Sequence, residues 1–461
     1  MNQSIKDKLW PVLVTTMFAS FMNPFMLAAV NIALPDIQEE FNCSATMLSW
    51  ITNSFLLANA IVLLPISKAA DIWGRIRFFK IGLYVFTAFT LAAALSPGIG
   101  MLLIMRIFQG AGAAMMSVTA VAILTETYPA EKRGVVLGIN IAAVYAGLSL
   151  GPFLGGLLTQ WGGWPAIFFA VVPLGIASVI MARLNLKPLH VYKVNTFFDV
   201  KGTIIYSLAI FAFIYGGGKI KTTYGIIILI AGLVLMAMFY YIEKSRINPI
   251  FSIALMKKNK RFAFSNYAAL IHYSSTFGVG FLLSLYLQFD RGLSPRDAGL
   301  ILVVQPVIMA ISAPLTGRLS DKIDPGKVAS IGLLLTMISL ALMVFLNSGI
   351  SIVYIIISLG VLGLGFGLFT SPNTNAIMSA VEKKDYGVAS GINATMRVFG
   401  QTLSMMVATL LISVYLGKLS LSANTIELFI KSMKVYFILF GIACVPAIWF
   451  SLQRGEKGKK K

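Results

Sequence analysis

The sequence predicts an all-α polytopic membrane protein with fourteen transmembrane helices. The 461 residues are 58% hydrophobic and only 12% charged, with a mean hydropathy of +0.85. A soluble domain carries roughly twice that share of charged residues. Apolar runs long enough to cross a bilayer core of about 30 Å recur along the whole chain. They are continuous and lack the roughly ten-residue alternation of a membrane β-barrel, so they predict helices.

Each predicted span lies between charged or turn-rich breaks. The segment before the first span holds Lys6 and Lys8, and the apolar run after it is too long for a signal-peptide core. We therefore expect this run to be retained as the first helix. The approximate limits of the spans are 10–35, 45–66, 78–95, 99–125, 134–158, 165–183, 200–217, 223–242, 262–288, 297–316, 327–346, 351–379, 388–416 and 431–452.

The basic residues predict the orientation of the chain in the membrane. With the N-terminus inside, 28 of the 37 Lys and Arg fall in cytoplasmic segments and 7 in outer loops. The positive-inside rule therefore favours cytoplasmic N- and C-termini, and it explains the net charge of +20 without a nucleic-acid partner. Only Arg106 and Arg397 lie inside spans, whereas all 17 Asp and Glu fall in loops, tails or helix ends.

Two similar loops predict a repeated architecture. SKAADIWGRIR (67–77) follows the second span and GRLSDKIDPGK (317–327) follows the tenth, and each places an Asp just past a helix end. Asp71 and Asp321 are 250 residues apart, which fits two six-helix halves with two extra helices between them. We therefore expect an N-terminal bundle over 1–186, a linker with two spans over 187–260, and a C-terminal bundle with a basic tail over 261–461.

Polar residues inside two spans are candidates for function. LLIMRIFQGAGAA (102–114) places Arg106 and Gln109 in the fourth span. An intramembrane Arg costs roughly 2.5–3.5 kcal/mol even on the lenient insertion scale, so we expect it to face a cavity or a partner. Snorkelling to the outer surface is the alternative for Arg106. Arg397 enters about three turns from the predicted cytoplasmic end of the thirteenth span, where we expect it to face a cavity.

A third element, GLSLGPFLGG (147–156), lies in the fifth span. Three of its glycines recur every four residues on one helix face, so another backbone can approach closely. A proline in the same element adds a kink. The residues of this element that we single out are Gly147, Gly151, Pro152, Gly155 and Gly156.

Over nearly the whole chain these elements resemble the major facilitator superfamily, and within it the fourteen-helix drug:proton antiporters. The first loop matches the loop signature of that superfamily at Asp71, Gly74, Arg75 and Arg77. The resemblance implies that this loop is a cytoplasmic latch between the two halves, with Asp321 as its counterpart. It also implies that the 147–156 element is an antiporter motif, which marks export rather than uptake.

The resemblance assigns proton coupling to Arg106 and Gln109, and it includes Arg397 in the junction of the twelfth and thirteenth helices. Antiport needs a group that exchanges a proton, yet the sequence has no carboxylate near the middle of a span. His272, about ten residues into the ninth span, is the remaining candidate, with hydrogen-bonded packing as the alternative. Three acids at helix ends are peripheral alternatives, namely Asp36, Asp71 and Glu126.

The end of the first span also matches the family, at Asn31, Ala33, Leu34 and Pro35. Many relatives carry an acid five positions before that Asn, where this chain has Met26. Amides in and near this stretch can hydrogen-bond a substrate without titrating. The candidates for contact with substrate in a central cavity are Asn23, Met26, Asn31 and Asn393.

The expected function is export of small amphipathic or cationic, drug-like compounds across a prokaryotic cell membrane by alternating access, in exchange for protons. One alternative is an exporter or facilitator of a specific metabolite with different or no proton coupling, and another is a non-transporting sensor or scaffold. The chain has no nucleophile elbow, phosphate loop or metal-ligand cluster, and only two cysteines. We therefore expect no enzymatic activity, cofactor or metal site, and a monomer whose partners are the substrate, protons and the bilayer.

The latch interpretation predicts the effect of replacing Asp71 with Asn. Asp71→Asn removes the charge that the latch needs but keeps the shape of the side chain, so transport should fall while membrane insertion stays intact. The check is substrate transport in cells together with the amount of protein in the membrane fraction. Normal transport by this variant would remove the latch assignment.

Overall fold

The structure is a computed structural model that describes residues 3–186, 198–246, 250–382 and 386–454. Because lipid offers no hydrogen bonds, a spanning backbone must satisfy its own polar groups, and the described chain does so as helices. The helices are α1 Gln3–Ile32, α2 Leu34–Phe41, α3 Ala45–Trp73, α4 Arg75–Ala94, α5 Ile99–Thr127, α6 Ala130–Gly162, α7 Pro165–Asn185, α8 Val200–Gly218, α9 Thr223–Lys244, α10 Ile253–Lys258, α11 Lys260–Leu285, which continues as a π-helical turn at Tyr286–Asp290, α12 Pro295–Leu302, α13 Val304–Lys322, α14 Pro325–Val344, α15 Ile352–Ser379, α16 Tyr386–Tyr415 and α17 Ile426–Leu452.

The prediction of fourteen spans is confirmed, because fourteen segments of the described chain are long and apolar enough to cross a membrane. Most predicted limits differ from these by a few residues. The largest difference is at the second span, which continues to Trp73 and not to residue 66. The first span ends at Ile32, not near residue 35, and the chain turns into the separate helix α2. Pro35 lies in the first turn of α2, where its missing N–H and fixed φ suit a helix start. The predicted division into bundles stays a prediction; below, "N-half" and "C-half" mean residues 1–186 and 261–461.

The two halves meet closely at one end of the bundle, which we call the closed end. Gln38 of α2 donates to the carbonyl of Leu421 at 2.9 Å and accepts from its N–H at 3.1 Å. The backbone N–H of Ala45 donates to the carbonyl of Leu419 at 3.1 Å. At the same end, Ser284 of α11 donates to the carbonyl of Asn31 at 2.7 Å. These bonds fasten the end of α1, α2 and the start of α3 to the C-half.

The two extra helices pack against the place where the halves meet. Tyr206 of α8 donates to the carbonyl of Ala60 in α3 at 2.8 Å. Gly217 of α8 faces Met406 of α16, so α8 contacts both halves. The next helix, α9, exposes a row of apolar side chains, as expected of a surface in contact with lipid tails. The helices α8 and α9 therefore form a layer on the outside of the α3–α16 contact.

The paired hydrogen bonds of Gln38 predict that this side chain holds the closed end shut. Gln38 is 8% exposed, and Gln38→Ala leaves the N–H and carbonyl of Leu421 unpaired, at a cost of about 1–3 kcal/mol. The closed end should open more often. Spin labels on the exposed positions Glu39 and Ser420 should report a larger population of long distances, with little background because Cys43 and Cys444 are buried.

Lys418→Ala is the matched control, since Lys418 is an exposed residue of the loop between α16 and α17. It should leave the label distances unchanged. An unaltered distance distribution in Gln38→Ala would show that these two hydrogen bonds do not hold the end shut.

Candidate functional site

A cavity of about 2330 Å³ lies between the halves and opens at the end opposite the closed end. Helices from both halves line it, including α1, α3, α5 and α6 from the N-half and α11, α13, α15 and α16 from the C-half. Asn31 lies at its closed end, whereas Arg75 and Glu126 lie at its mouth. A drug-sized ligand needs about 300–1,000 Å³, so this cavity has room for one.

The residues of the first latch loop surround the mouth. Asp71, Gly74, Arg75 and Arg77 all line the cavity. Arg75 contacts Asp71 at 2.8 Å and Glu126 at 3.5 Å, which are both in the N-half. In this conformation the described ion pair of Asp71 therefore lies within the N-half. This is expected at the mouth, where the two halves are apart. The side chain of Asp321, the predicted counterpart, lies outside the described residues.

The glycines of the 147–156 element bring α6 against α1. A Cβ atom at Gly147 would lie 2.5 Å from the carbonyl oxygen of Phe21, and one at Gly151 would lie 2.6 Å from the Cβ of Ala28. At Gly155 it would lie 2.7 Å from the Cα of Ala29.

Two further residues of the element face the C-half. Gly156 lies against the carbonyl of Pro295, and the carbonyl of Pro152 lies against Gly299, both of them residues of α12. The element therefore joins two helices of the N-half on one face and contacts the C-half near the closed end on the other.

Arg106 and Gln109 lie inside the N-half and do not line the cavity. Arg106 is 0% exposed, so it does not snorkel to the surface. Its Nε donates to the carbonyl of Ile51 at 3.2 Å, and one terminal nitrogen donates to Oε1 of Gln109 at 2.6 Å. Gln109 in turn donates to Thr90 at 2.7 Å, and the Phe55 ring lies 4.4 Å from the Arg106 guanidinium carbon. Of the two environments expected for Arg106, a cavity or a partner, the structure shows a partner, namely this polar network inside the N-half.

His272 is 0% exposed and also lies outside the cavity lining. The rings of Phe366 and Phe369 lie 4.7 and 4.1 Å from its ring, and neither ring nitrogen has a hydrogen-bond partner among the described residues. In this conformation His272 is therefore packed between aromatic rings, without the hydrogen bond that the alternative interpretation expects. Tyr273 and Phe366 separate His272 from the cavity, since both contact its ring and line the cavity.

Three of the four predicted substrate contacts line the cavity, and Met26 does not. Asn23, Asn31 and Asn393 are lining residues. Asn31 accepts from Thr52 at 2.9 Å, so part of its side chain is already occupied. Met26 is 0% exposed and packs in the hydrophobic core, so its prediction as a cavity residue is wrong. The cause is helical rotation. Asn23, Leu27 and Asn31 recur every four residues and form the lining face of α1. Met26 precedes Leu27 by one residue, so it is rotated about 100° away from the centre of that face.

Arg397 lines the cavity with an exposed side chain, and the structure adds neighbours that sequence reasoning missed. Its positive charge interacts electrostatically with Tyr145 of α6 and Tyr273 of α11, both lining residues. A usable signal was present in α1 and α16, where polar and small residues recur every three or four positions. The lining residues that follow this spacing are Ser20, Asn23, Leu27 and Asn31 in α1, and Ser390, Asn393, Ala394, Arg397 and Gln401 in α16.

Asp36, one of the peripheral acids, lies in the first turn of α2 at the closed end. Burial raises its pKa to about 6, and repulsion from Glu39 and Glu40 acts in the same direction. Glu40 accepts from the indole N–H of Trp164 at 2.6 Å. This end of the molecule therefore carries a group that changes charge at mildly acidic pH.

A bundle of membrane-spanning helices around a cavity open at only one end is the structure of a membrane transporter. The family model for the major facilitator superfamily matches residues 16–265 and 266–461. The chain therefore belongs to the major facilitator superfamily, and it is a multi-pass plasma membrane protein.

Two curated bacterial relatives have transport or resistance names. The chain is 30% identical over 392 residues to the riboflavin transporter RibZ of Clostridioides difficile (strain 630), covering 84% of this chain and 85% of that protein. It is 30% identical over 412 residues to the multidrug resistance protein Stp of Mycobacterium tuberculosis (strain CDC 1551 / Oshkosh), covering 87% and 76%.

A solved structure shares the fold. A bacterial homologue of the human lysosomal transporter Spinster, in an inward-facing and unoccupied conformation, matches with a TM-score of 0.71. The sequence identity is 16%, and the match covers 98% of each chain. At this identity the likeness concerns the fold alone.

The raised pKa of Asp36 predicts a pH dependence of stability. The folded protein favours the neutral carboxyl, so this group makes the fold less stable as the pH rises from about 4 to about 6. Asp36→Asn removes that effect, and its melting temperature relative to wild type should rise between pH 4.5 and pH 7.5. Thermal unfolding in detergent at both pH values measures the difference.

Glu427→Gln is the control, because Glu427 is an exposed acid in the first turn of α17, also at the closed end. Its melting temperature relative to wild type should not change over this pH range. A constant difference between Asp36→Asn and wild type would contradict the assignment.

Proposed function

We propose that this chain is a secondary active transporter that exports small amphipathic molecules by alternating access, in exchange for protons. The observation that carries the proposal is a large cavity between the halves that is closed at one end and open at the other. Alternating access requires two arrangements of this kind, one open to each side. The relatives named for drug resistance and for riboflavin transport support the same general activity.

The proposed orientation places the open mouth in the cytoplasm. Lys68, Arg77 and Arg133, which line the mouth, belong to loops and helix ends that the positive-inside rule assigns to that side. In this orientation the structure is inward-open, and both chain termini are cytoplasmic. Substrate then enters the cavity from the cytoplasm, and export requires the closed end to open.

Two elements would change contacts in the transport cycle. In the inward-open state Asp71 pairs with Arg75, which leaves the pair available to meet the C-half when the mouth closes. The 147–156 element touches α12 near the closed end, so the outward-open state must separate Gly156 from Pro295. We propose that one chain is the transporting unit, since both halves that form the cavity belong to it.

Proton coupling is the least constrained part of the proposal. Among the described lining residues the only carboxylates are Asp71 and Glu126, both at the mouth. The candidates remain Arg106, Gln109, His272 and Arg397. For His272 to exchange a proton, Tyr273 or Phe366 must move aside and admit water to the ring.

A specific metabolite is the second candidate substrate class. Several polar atoms of the cavity wall have no hydrogen-bond partner among the described residues, including Oδ1 of Asn23, Oδ1 of Asn59 and Oγ of Ser149. Such groups suit a polar ligand whose own donors complete them. The relative named as a riboflavin transporter supports this alternative.

Proteoliposomes with an acidic lumen test the proposed exchange. Protons leaving the lumen should drive substrate inward through molecules whose cytoplasmic face points outward. For one-to-one exchange, a gradient of one pH unit drives accumulation of up to about tenfold. The measurement is uptake of riboflavin and ethidium with and without the gradient; accumulation of either probe that ignores the gradient would exclude its exchange for protons.

His272→Gln extends the same assay, since Gln keeps polarity but cannot titrate. If the imidazole carries the proton, this variant should lose the dependence of uptake on pH. An unchanged pH profile would remove His272 from the candidates.

A further inference from the structure

The charged residues that line the cavity are mostly basic. Six of the eight described ones are Lys or Arg and two are acids. Both acids, Asp71 and Glu126, already contact the same side chain, Arg75. Positive charge between low-dielectric walls creates a positive potential inside a cleft, which attracts anions and repels cations.

Arg397 lies deeper in the cavity than the other seven charged lining residues. The others lie within about two turns of the helix ends at the mouth, whereas Arg397 is eleven residues after Tyr386, the first residue of α16. At 1.5 Å per residue this is about 16 Å into the helix. In the part of the chain that the structure describes, no carboxylate forms an ion pair with Arg397, and its side chain is exposed to the cavity.

Two aromatic rings from opposite halves lie near this charge. Tyr145 comes from α6 and Tyr273 from α11, and both line the cavity. A guanidinium pairs well with a carboxylate or phosphate, and aromatic faces stack on planar rings. Elsewhere on the cavity wall, Oδ1 of Asn59 has no hydrogen-bond partner among the described residues. The site therefore combines one cation and two rings, and the cavity wall adds an unpaired amide oxygen.

We propose that the preferred substrate is an aromatic organic anion, whose acidic group pairs with Arg397 and whose ring system lies between Tyr145 and Tyr273. This inference rests on the proposed transport function and narrows its substrate class. It sets aside the sequence expectation of cationic compounds, because a cation would enter a positive cavity and meet the Arg397 charge. It also explains why an Arg remains in the middle of a span, where it is costly without a partner.

Two dyes with the same xanthene ring system and opposite charge test the proposal. Fluorescein is an anion at pH 8, and rhodamine 123 is a cation. Purified protein in detergent should bind fluorescein at least about tenfold more tightly than rhodamine 123, as measured by fluorescence anisotropy. The preference should shrink as NaCl is added, since salt screens charge. Equal binding, tighter binding of rhodamine 123, or binding of neither dye would overturn the proposal.

Variants of Arg397 locate the effect. Arg397→Gln should weaken fluorescein binding about tenfold, and Arg397→Lys should retain more of it. Lys327→Gln removes one exposed charge of the C-half outside the cavity and should change neither affinity. Unchanged fluorescein affinity in Arg397→Gln, with wild-type elution on size exclusion, would exclude Arg397 as the anion partner.

Uptake of the same dyes into proteoliposomes separates this inference from the proposed function. Selective binding of fluorescein without uptake of either dye would count against transport and leave the substrate class standing. Uptake of rhodamine 123 in preference to fluorescein would support transport and refute the substrate class.

Discussion

The free-energy cost of charge inside a bilayer governs this molecule more than any other constraint. It confines every Asp and Glu to loops, tails or helix ends, and Arg106 and Arg397 are the two arginines that lie furthest from a helix end. The structure treats them differently. Arg106 is enclosed by a carbonyl, an amide and an aromatic ring, whereas Arg397 is exposed to a cavity between the halves. Polar groups of the protein hold Arg106, with one terminal nitrogen left without a hydrogen-bond partner, whereas Arg397 is open to whatever enters the cavity.

The contacts between the halves are unevenly distributed along the membrane normal. At the closed end they include backbone hydrogen bonds, the paired bonds of Gln38 and the backbone approach of α6 to α12. At the mouth, the described ion pairs of Arg75 stay within the N-half. Each closing contact is individually worth on the order of 1 kcal/mol, so a substrate with a modest difference in affinity for two arrangements can shift their populations.

The sequence predicted the fourteen spans well because long apolar runs and charged breaks are strong signals. It predicted poorly which side of each helix faces the cavity. In a bilayer both the lipid surface and the protein core are apolar, so periodicity does not show which face of a helix is buried. Met26 illustrates this. It was predicted to line the cavity because many relatives carry an acid at this position, but in the folded helix it lies in the hydrophobic core. The neighbours Tyr145 and Tyr273 were missed because tyrosines from distant segments meet only in the folded chain, while the spacing of amides along α1 was visible and unused.

The charges at the two ends of the cavity are balanced differently. Lys68, Arg77 and Arg133 stand at the mouth, where basic residues outnumber acids. The loops and helix ends at the closed end hold six acids, Asp36, Glu39 and Glu40 among them, and seven Lys and Arg, so their charges nearly cancel. Positive potential is therefore concentrated at the mouth. Because the pKa of Asp36 is raised to about 6, uptake of a proton there makes the closed end more positive at mildly acidic pH and reduces the difference between the two ends.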